Sequence, residues 1–195
     1  MDFNNSKTKE NLARCFVAEC QDGARYQFIA KSAKSQGFTY VADTIKILAK
    51  NEMAHASRIY SMIVKYGGKC CKNIDICAGY PFESCEIPLS LKCSCDTEIA
   101  ESKKIYPVFS GVAKEEGYLD VAELFTLISL TENCHHLMLK ELYEKFTTNM
   151  LYETTQKTKW KCSNCGHEHV DKKAWKECPL CTYPQGYVQI PLADN

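Results

Sequence analysis

Four stretches of the chain repeat apolar positions at spacings of three and four, the period of a helix with one buried face. The first runs from about Thr8 to Ser35 through Leu12, Cys15, Phe16, Tyr26, Ile29 and Ala33. Glu19 is the polar exception on that stripe, and Gly37 ends it. The second runs from about Thr39 to Tyr66 through Val41, Ile45, Leu48, Ile59 and Ile63, and stops at Gly67-Gly68. Residues 69 to 92 break the pattern with Gly79, Pro81, Pro88 and several cysteines, and read as a long connector. The third helix is predicted from near Ser94-Cys95-Asp96 to just before Gly117, with a kink or local break at Pro107. The fourth spans about Leu119 to Phe146. Residues 147 to 158, with two Thr-Thr pairs, read as a polar linker.

Two helices, a long connection and two more helices is the order of ferritin-like bundles. The tail, 159 to 195, changes character: it carries prolines and short aromatic strands such as Tyr187-Val188-Gln189-Ile190. A unit this short cannot bury a sufficient core alone and calls for a staple. The predicted fold is therefore an all-α ferritin-like four-helix bundle over 1–150, followed by a linker and a small β metal domain over 151–195.

The polar residues that interrupt the apolar faces are of metal-binding type. Helix one offers Glu19, helix two Glu52-x-x-His55, helix three Glu98-x-x-Glu101 and helix four Glu132-x-x-His135. A spacing of three puts each pair on one helix face. One Glu-x-x-His is weak evidence and by itself reads as surface charge. The ordered set is specific: carboxylate-bridged two-metal bundles take one Glu from each of two helices and a Glu-x-x-His from each of the other two. Carboxylates neutralise and bridge two cations, and imidazole suits iron. Glu101 is a seventh candidate. His136 lies about 100° around the helix from His135 and reads as a surface residue. Asp22 and Gly23 are poor helix formers in mid-helix and predict disturbed geometry near Glu19.

In the tail, Cys162-Ser-Asn-Cys165 and Cys178-Pro-Leu-Cys181 form two Cys-x-x-Cys knuckles, a tetrahedral sulfur site for zinc or a single iron. His167 and His169 are spectators, since four thiolates complete the shell. Gly166 follows the first knuckle, and Thr182 takes the matching, less permissive place after the second.

Composition narrows the setting. Lys+Arg 24 balances Asp+Glu 24, which leaves no basic footprint for nucleic acid. The polar start, Met1-Asp2-Phe3-Asn4-Asn5-Ser6-Lys7, has no signal-peptide core, and no apolar run is long enough for a membrane span. A cytoplasmic protein is expected. Its 13 cysteines then read as metal ligands and thiols rather than disulfides. Cys70, Cys71, Cys77, Cys85, Cys93 and Cys95 crowd the connector and the start of helix three, while Cys15, Cys20 and Cys134 sit in helices. They read as small apolar thiols rather than a third metal site.

Several motifs together resemble the rubrerythrin family: Phe16 to Tyr26, Asn51-Glu-Met-Ala-His55, Gly79-Tyr-Pro-Phe82, Glu98-Ile-Ala-Glu101 leading into Tyr106-Pro107, Glu115-Glu-Gly117, Glu132-Asn-Cys-His135, and Trp160-Lys-Cys162 through Pro184-Gln-Gly-Tyr187. The tail resembles the family's rubredoxin-like domain. The resemblance implies a non-haem di-iron peroxidase that reduces hydrogen peroxide to water. Its electrons come from an NAD(P)H-dependent rubredoxin reductase, often through a free rubredoxin, and enter at the sulfur-bound iron. It implies Glu19, Glu52, Glu98, Glu101, Glu132 and His135 as di-iron ligands. His55 would bind when the site is reduced, and Glu101 would replace it when oxidised. Tyr26 and Tyr106 would hydrogen-bond ligands or peroxide, Cys162, Cys165, Cys178 and Cys181 would hold one iron, and the protein would be a homodimer. Two other readings stand beside this one: ferritin-like iron oxidation and storage, which a 24-subunit particle would favour, and a structural zinc-ribbon protein, which a colourless tail would favour.

Overall fold

The structure, a computed structural model, describes residues 2–68, 73–77, 79, 82 and 86–192. Five helices form the bundle: α1 (Lys7–Ser35), α2 (Thr39–Gly67), α3 (Ile87–Ala100), α4 (Tyr106–Glu115) and α5 (Leu119–Thr147). A π-helical turn, Glu101–Ile105, joins α3 to α4, so the two run on as the third arm of the bundle. The architecture is the expected ferritin-like bundle with a small β tail.

Local chemistry sets the ends. Ser6 caps α1 through its hydroxyl, which accepts from the Lys9 amide at 3.1 Å. A second cap comes from far along the chain: the Glu116 carboxylate accepts from the Lys7 and Thr8 amides at 2.9 and 2.8 Å. It thus satisfies orphan donors of α1 and complements its dipole. Gly37, at φ +87°, supplies the left-handed residue that ends α1.

One boundary differs from the sequence expectation. Helix three begins at Ile87, not near Ser94, because Pro88 sits in its first turn, where a missing N–H costs nothing. The local break expected at Pro107 takes the form of a π-helical turn just before it. The Tyr106 amide donates to Glu101 O, five residues back. The widened turn takes up the misfit that Pro would impose on an α-helix and places it beside Glu101. In α1, Asp22 and Gly23 lie within unbroken helix. Asp22 is held by Arg25 at 2.9 Å, and Gly23 faces Met53 of α2, whose sulfur a Cβ would meet at 3.1 Å.

The core falls into two apolar clusters. One contains Tyr26, Ile29, Ala33, Ile45, Leu48, Leu91, Leu139 and Leu142. The other contains Leu12, Cys15, Ile59, Met62, Tyr106, Val121, Phe125 and Ile128. At ~1.5–3 kcal/mol for each large side chain fully buried, these clusters supply the main driving force. On each long helix the residues between them are the polar ones predicted above.

The tail is a three-stranded antiparallel sheet, order β2-β1-β3, from β1 (Glu153–Cys162), β2 (Glu168–Lys173) and β3 (Val188–Gln189). Strand β1 starts inside the expected linker, where Thr154, Thr155 and Thr158 suit extended backbone. Its own core is small: Trp160, Ala174 and Val188. Leu151 and Ile190 join the bundle cluster instead. At Gly186 a Cβ would lie 1.7 Å from Gly37 O, so only glycine lets the tail approach the α1–α2 turn.

Candidate metal centres

Glu19, Glu52, Glu98, Glu101, Glu132 and His135 are all buried. His55 is half-buried, with 15% of its side chain exposed. Two overlapping groups have one ligand atom from each member within 4.8 Å of one another. These are Glu19, Glu52, His55 and Glu132, and Glu52, Glu98, Glu132 and His135. Glu52 and Glu132 belong to both, the arrangement of carboxylates placed between two cations. Glu101 is buried at the side of this cluster but belongs to neither group.

The histidines are aimed at carboxylates. His55 Nδ1 lies 3.2, 3.1 and 3.0 Å from oxygens of Glu19, Glu52 and Glu132. His135 Nδ1 lies 2.9 and 2.8 Å from Glu52 and Glu132. The rings stack at 5.8 Å between centroids and 22° between planes. One ring nitrogen carries at most one proton, so it cannot satisfy three acceptors. Glu52 Oε1, Glu98 Oε2, both Glu132 oxygens and His135 Nδ1 are accordingly buried without a hydrogen bond of good geometry. Convergent lone pairs lacking donors fit cations, and the oxygen-rich, two-histidine donor set fits a pair of irons.

Outer contacts hold the cluster. The Tyr26 hydroxyl donates to Glu98 and the Tyr106 hydroxyl to Glu19. The Asn51 amide lies 3.3 Å from His135 Nε2. Sequence reading did not assign Asn51 a role. It also missed the buried Asp22–Arg25 pair, whose Arg25 also donates to Thr97 at 3.1 Å. The available signal was a second acidic residue one turn after Glu19. Asp22→Ala would leave the Arg25 guanidinium buried without this carboxylate, and we expect a loss of ~3–5 kcal/mol in urea-induced unfolding. A loss near that of an ordinary surface change would show the pair to be dispensable.

Crowding shifts the protonation of the cluster. Burial, reinforced by Glu132 and Glu52, holds the Glu19 and Glu98 carboxyls well above the usual range. Burial and Asp22 do the same to Glu101. Burial opposes charge on the histidines, but the hydrogen bonds that His55 donates to Glu132, Glu19 and Glu52 outweigh it and raise His55 to about 12. Glu132 and Glu52 likewise raise His135 to about 9. Burial would raise Glu132 as well, but His135 and His55 bring it to about 2. Metal binding must therefore displace protons from the raised groups. Iron loading is expected to release protons, from His135 below about pH 9 and from His55 below about pH 12, and to weaken as pH falls. Anaerobic Fe²⁺ titration with a pH-sensitive dye would measure both. An affinity independent of pH would contradict the assignment.

In the tail, Cys162, Cys165, Cys178 and Cys181 bring their sulfurs within 4.8 Å of one another. The Cys162–Cys181 and Cys165–Cys178 separations are both 3.7 Å. That matches the edge of a tetrahedron with ~2.3 Å metal–sulfur bonds. Gly166 and Thr182 take the same left-handed place after each knuckle, at φ +78° and +60°, donating to Cys162 O and Cys178 O at 2.9 Å. Burial raises Cys181, but the Tyr183 backbone N–H and the Asn164 amide outweigh it and hold it near 6.

The remaining cysteines form no metal grouping among the described residues, and none of those described is in a disulfide. Cys70, Cys71 and Cys85 lie outside the described residues, as do Tyr80 and Pro81 of the connector motif. His136 is not a surface residue. It is half-buried, with Nδ1 2.9 Å from Cys95 O and 3.2 Å from Cys95 Sγ. The close α3–α5 contact draws it in. No helix is long and apolar enough to cross a membrane among the described residues.

Comparison with known proteins agrees with this geometry. The rubrerythrin family model matches residues 10–143 and 90–164, and the model for the rubrerythrin rubredoxin-like domain matches 160–188. The chain is 31% identical to a rubrerythrin of Clostridium perfringens over 190 residues, 96% of each chain. It is 32% identical to rubrerythrin-1 of Clostridium acetobutylicum over 99% of this chain and 98% of that one. Among solved structures, a mixed-valence nigerythrin matches at TM-score 0.62 and 24% identity, over 98% of this chain and 94% of that chain. A bacterioferritin of Desulfovibrio desulfuricans matches at TM-score 0.63 and 23% identity, over 74% of this chain and 82% of the other.

Proposed function

The chain belongs to the rubrerythrin family, and from that premise we propose that it is a peroxidase reducing hydrogen peroxide to water. The family's cofactors are a di-iron site in the bundle and a single metal, iron in this reading, in the rubredoxin-like tail. We assign the di-iron ligands to Glu19, Glu52, His55, Glu98, Glu101, Glu132 and His135, and the single iron to Cys162, Cys165, Cys178 and Cys181. The observation that carries this reading is the pair of ligand groups sharing Glu52 and Glu132. When bound, the two irons supply the two electrons that peroxide reduction requires.

The residues do the rest. Glu52 and Glu132, common to both groups, would contribute to both metal positions. Tyr26 and Tyr106 fix the Glu98 and Glu19 carboxylates by donating to them. Glu101, on the π turn, and His55, on α2, would be the ligands that exchange as the site changes oxidation state. Burial keeps an unligated Glu101 carboxyl protonated, so it can give a proton to the oxygen that leaves. Apolar clusters on either side exclude water. Electrons enter one at a time at the tail, from a rubredoxin or an NAD(P)H-dependent reductase, in a cytoplasmic homodimer.

The test is metal content and colour of anaerobically purified protein, before and after peroxide is added to the reduced sample. Three ligand groups predict three irons per chain, with the sulfur–iron colour returning rapidly. One zinc, no colour and no response would overturn the reading in favour of a structural zinc ribbon. A 24-subunit particle that accumulates iron would overturn it in favour of storage.

A further inference from the structure

A cavity of about 240 Å³ opens beside the ligand cluster, with Glu101 and Tyr106 in its wall. The rest of the lining is mainly apolar: Cys15, Ile76, Ile105 and Phe109, with Arg14 and Gln21 as further polar members. Its size does not match hydrogen peroxide. At ~30 Å³ for a water-sized group, peroxide needs roughly a quarter of the space, and the whole cavity holds roughly eight such groups. Walls of this kind give ordered water few hydrogen bonds, so the surplus space suits an apolar body.

We propose that this cavity binds the alkyl group of a small organic hydroperoxide and presents its O–O end to Glu101 and Tyr106. This rests on the peroxidase reading and extends its substrate class. The step balances as R–O–O–H + 2 e⁻ + 2 H⁺ → R–OH + H₂O. The O–O bond breaks, two O–H bonds form, and two ferrous ions of the reduced site end ferric. The tert-butyl compound, with six heavy atoms, fits the volume. Cys15 serves as wall rather than reactant: burial and the neighbouring Glu19, Glu101 and Glu132 keep its thiol protonated, and thiols react with peroxide as thiolates.

The experiment compares tert-butyl hydroperoxide with hydrogen peroxide on the iron-loaded protein, wild type against Ile105→Trp and Cys15→Leu, each filling the cavity from a different helix. Ile105 is 38% exposed, so its replacement is expected to fold. The ratio of kcat/KM for the organic to the inorganic peroxide should fall about ten-fold or more in both variants. Independently of turnover, ligand-detected NMR should show tert-butyl alcohol bound to the oxidised wild-type protein, with the signal lost on filling. Turnover of hydrogen peroxide with an unchanged ratio and no alcohol signal would overturn the inference and leave the peroxidase reading standing. Turnover of neither peroxide would overturn both.

Discussion

Glu132→Ala is expected to strip both irons from the bundle while leaving the tail iron in place. Each ligand group has four members, and Glu132 is common to both. Its removal also takes from both histidines a carboxylate that lies 3.0 Å from His55 and 2.8 Å from His135. Even outer-shell changes at metal sites cost ~10–100-fold in affinity or activity, so loss of a shared inner ligand should lower peroxidase turnover by roughly 100-fold or more. Iron content should fall from three to one per chain, and the colour of the sulfur site should persist. Glu52→Ala should behave alike, being the other shared residue. Glu101→Ala should keep its iron, because Glu101 is in neither group, and should fail in turnover alone. Metal analysis of the three variants decides the matter. Two irons retained in Glu132→Ala would show that the carboxylate does not bridge.

The carboxylate–histidine cluster was legible because a spacing of three on a helix fixes a shared face whatever the tertiary details. Its sharing was not: nothing in Glu52-x-x-His55 or Glu132-x-x-His135 says that these two glutamates, rather than Glu19 or Glu98, fall in both groups. That follows from how α2 and α5 face each other. Proline was legible once and misleading once. Pro88 read as part of a connector but starts a helix, whereas the local break expected at Pro107 is there, as a π turn just before it. Both outcomes depend on which backbone N–H groups lack partners, which a hydrophobic pattern does not encode. Strand β1 was hidden by threonines that suit loop and strand alike. Asp22 looked like a weak point in α1. Its partner Arg25 was visible at a spacing of three, but the burial that gives the pair its weight comes from neighbouring helices. His136 shows the converse, since its position around the helix was read correctly and the helix packed against it was not.

Cys178→Ser is expected to unfold the tail and leave the bundle helical. The tail buries only Trp160, Ala174 and Val188 as its own cluster, a contribution of roughly 5 kcal/mol. A structural tetrahedral site in a small peptide supplies ~10–16 kcal/mol, so the metal is the larger source of order. The molecule carries its own reporter. Both of its tryptophans, Trp160 and Trp175, lie in the tail, and Trp160 is fully buried with its indole N–H donating to Asp171 O at 3.0 Å. Fluorescence of Cys178→Ser should shift to the red while the far-ultraviolet helical signal is kept. Turnover driven by an external donor should fall by roughly 100-fold, the upper range for damage around a metal site. A chemically reduced bundle should still consume peroxide once, because its own ligands are intact. The competing result would be helices that melt with the tail. Leu151 and Ile190 enter the bundle's own cluster and Gly186 sits against Gly37, so the two units share a boundary. If that boundary dominated, a single cooperative loss of helix and fluorescence would follow. Because the helices bury two clusters of their own on either side of the carboxylates, the separate transitions are the expected ones.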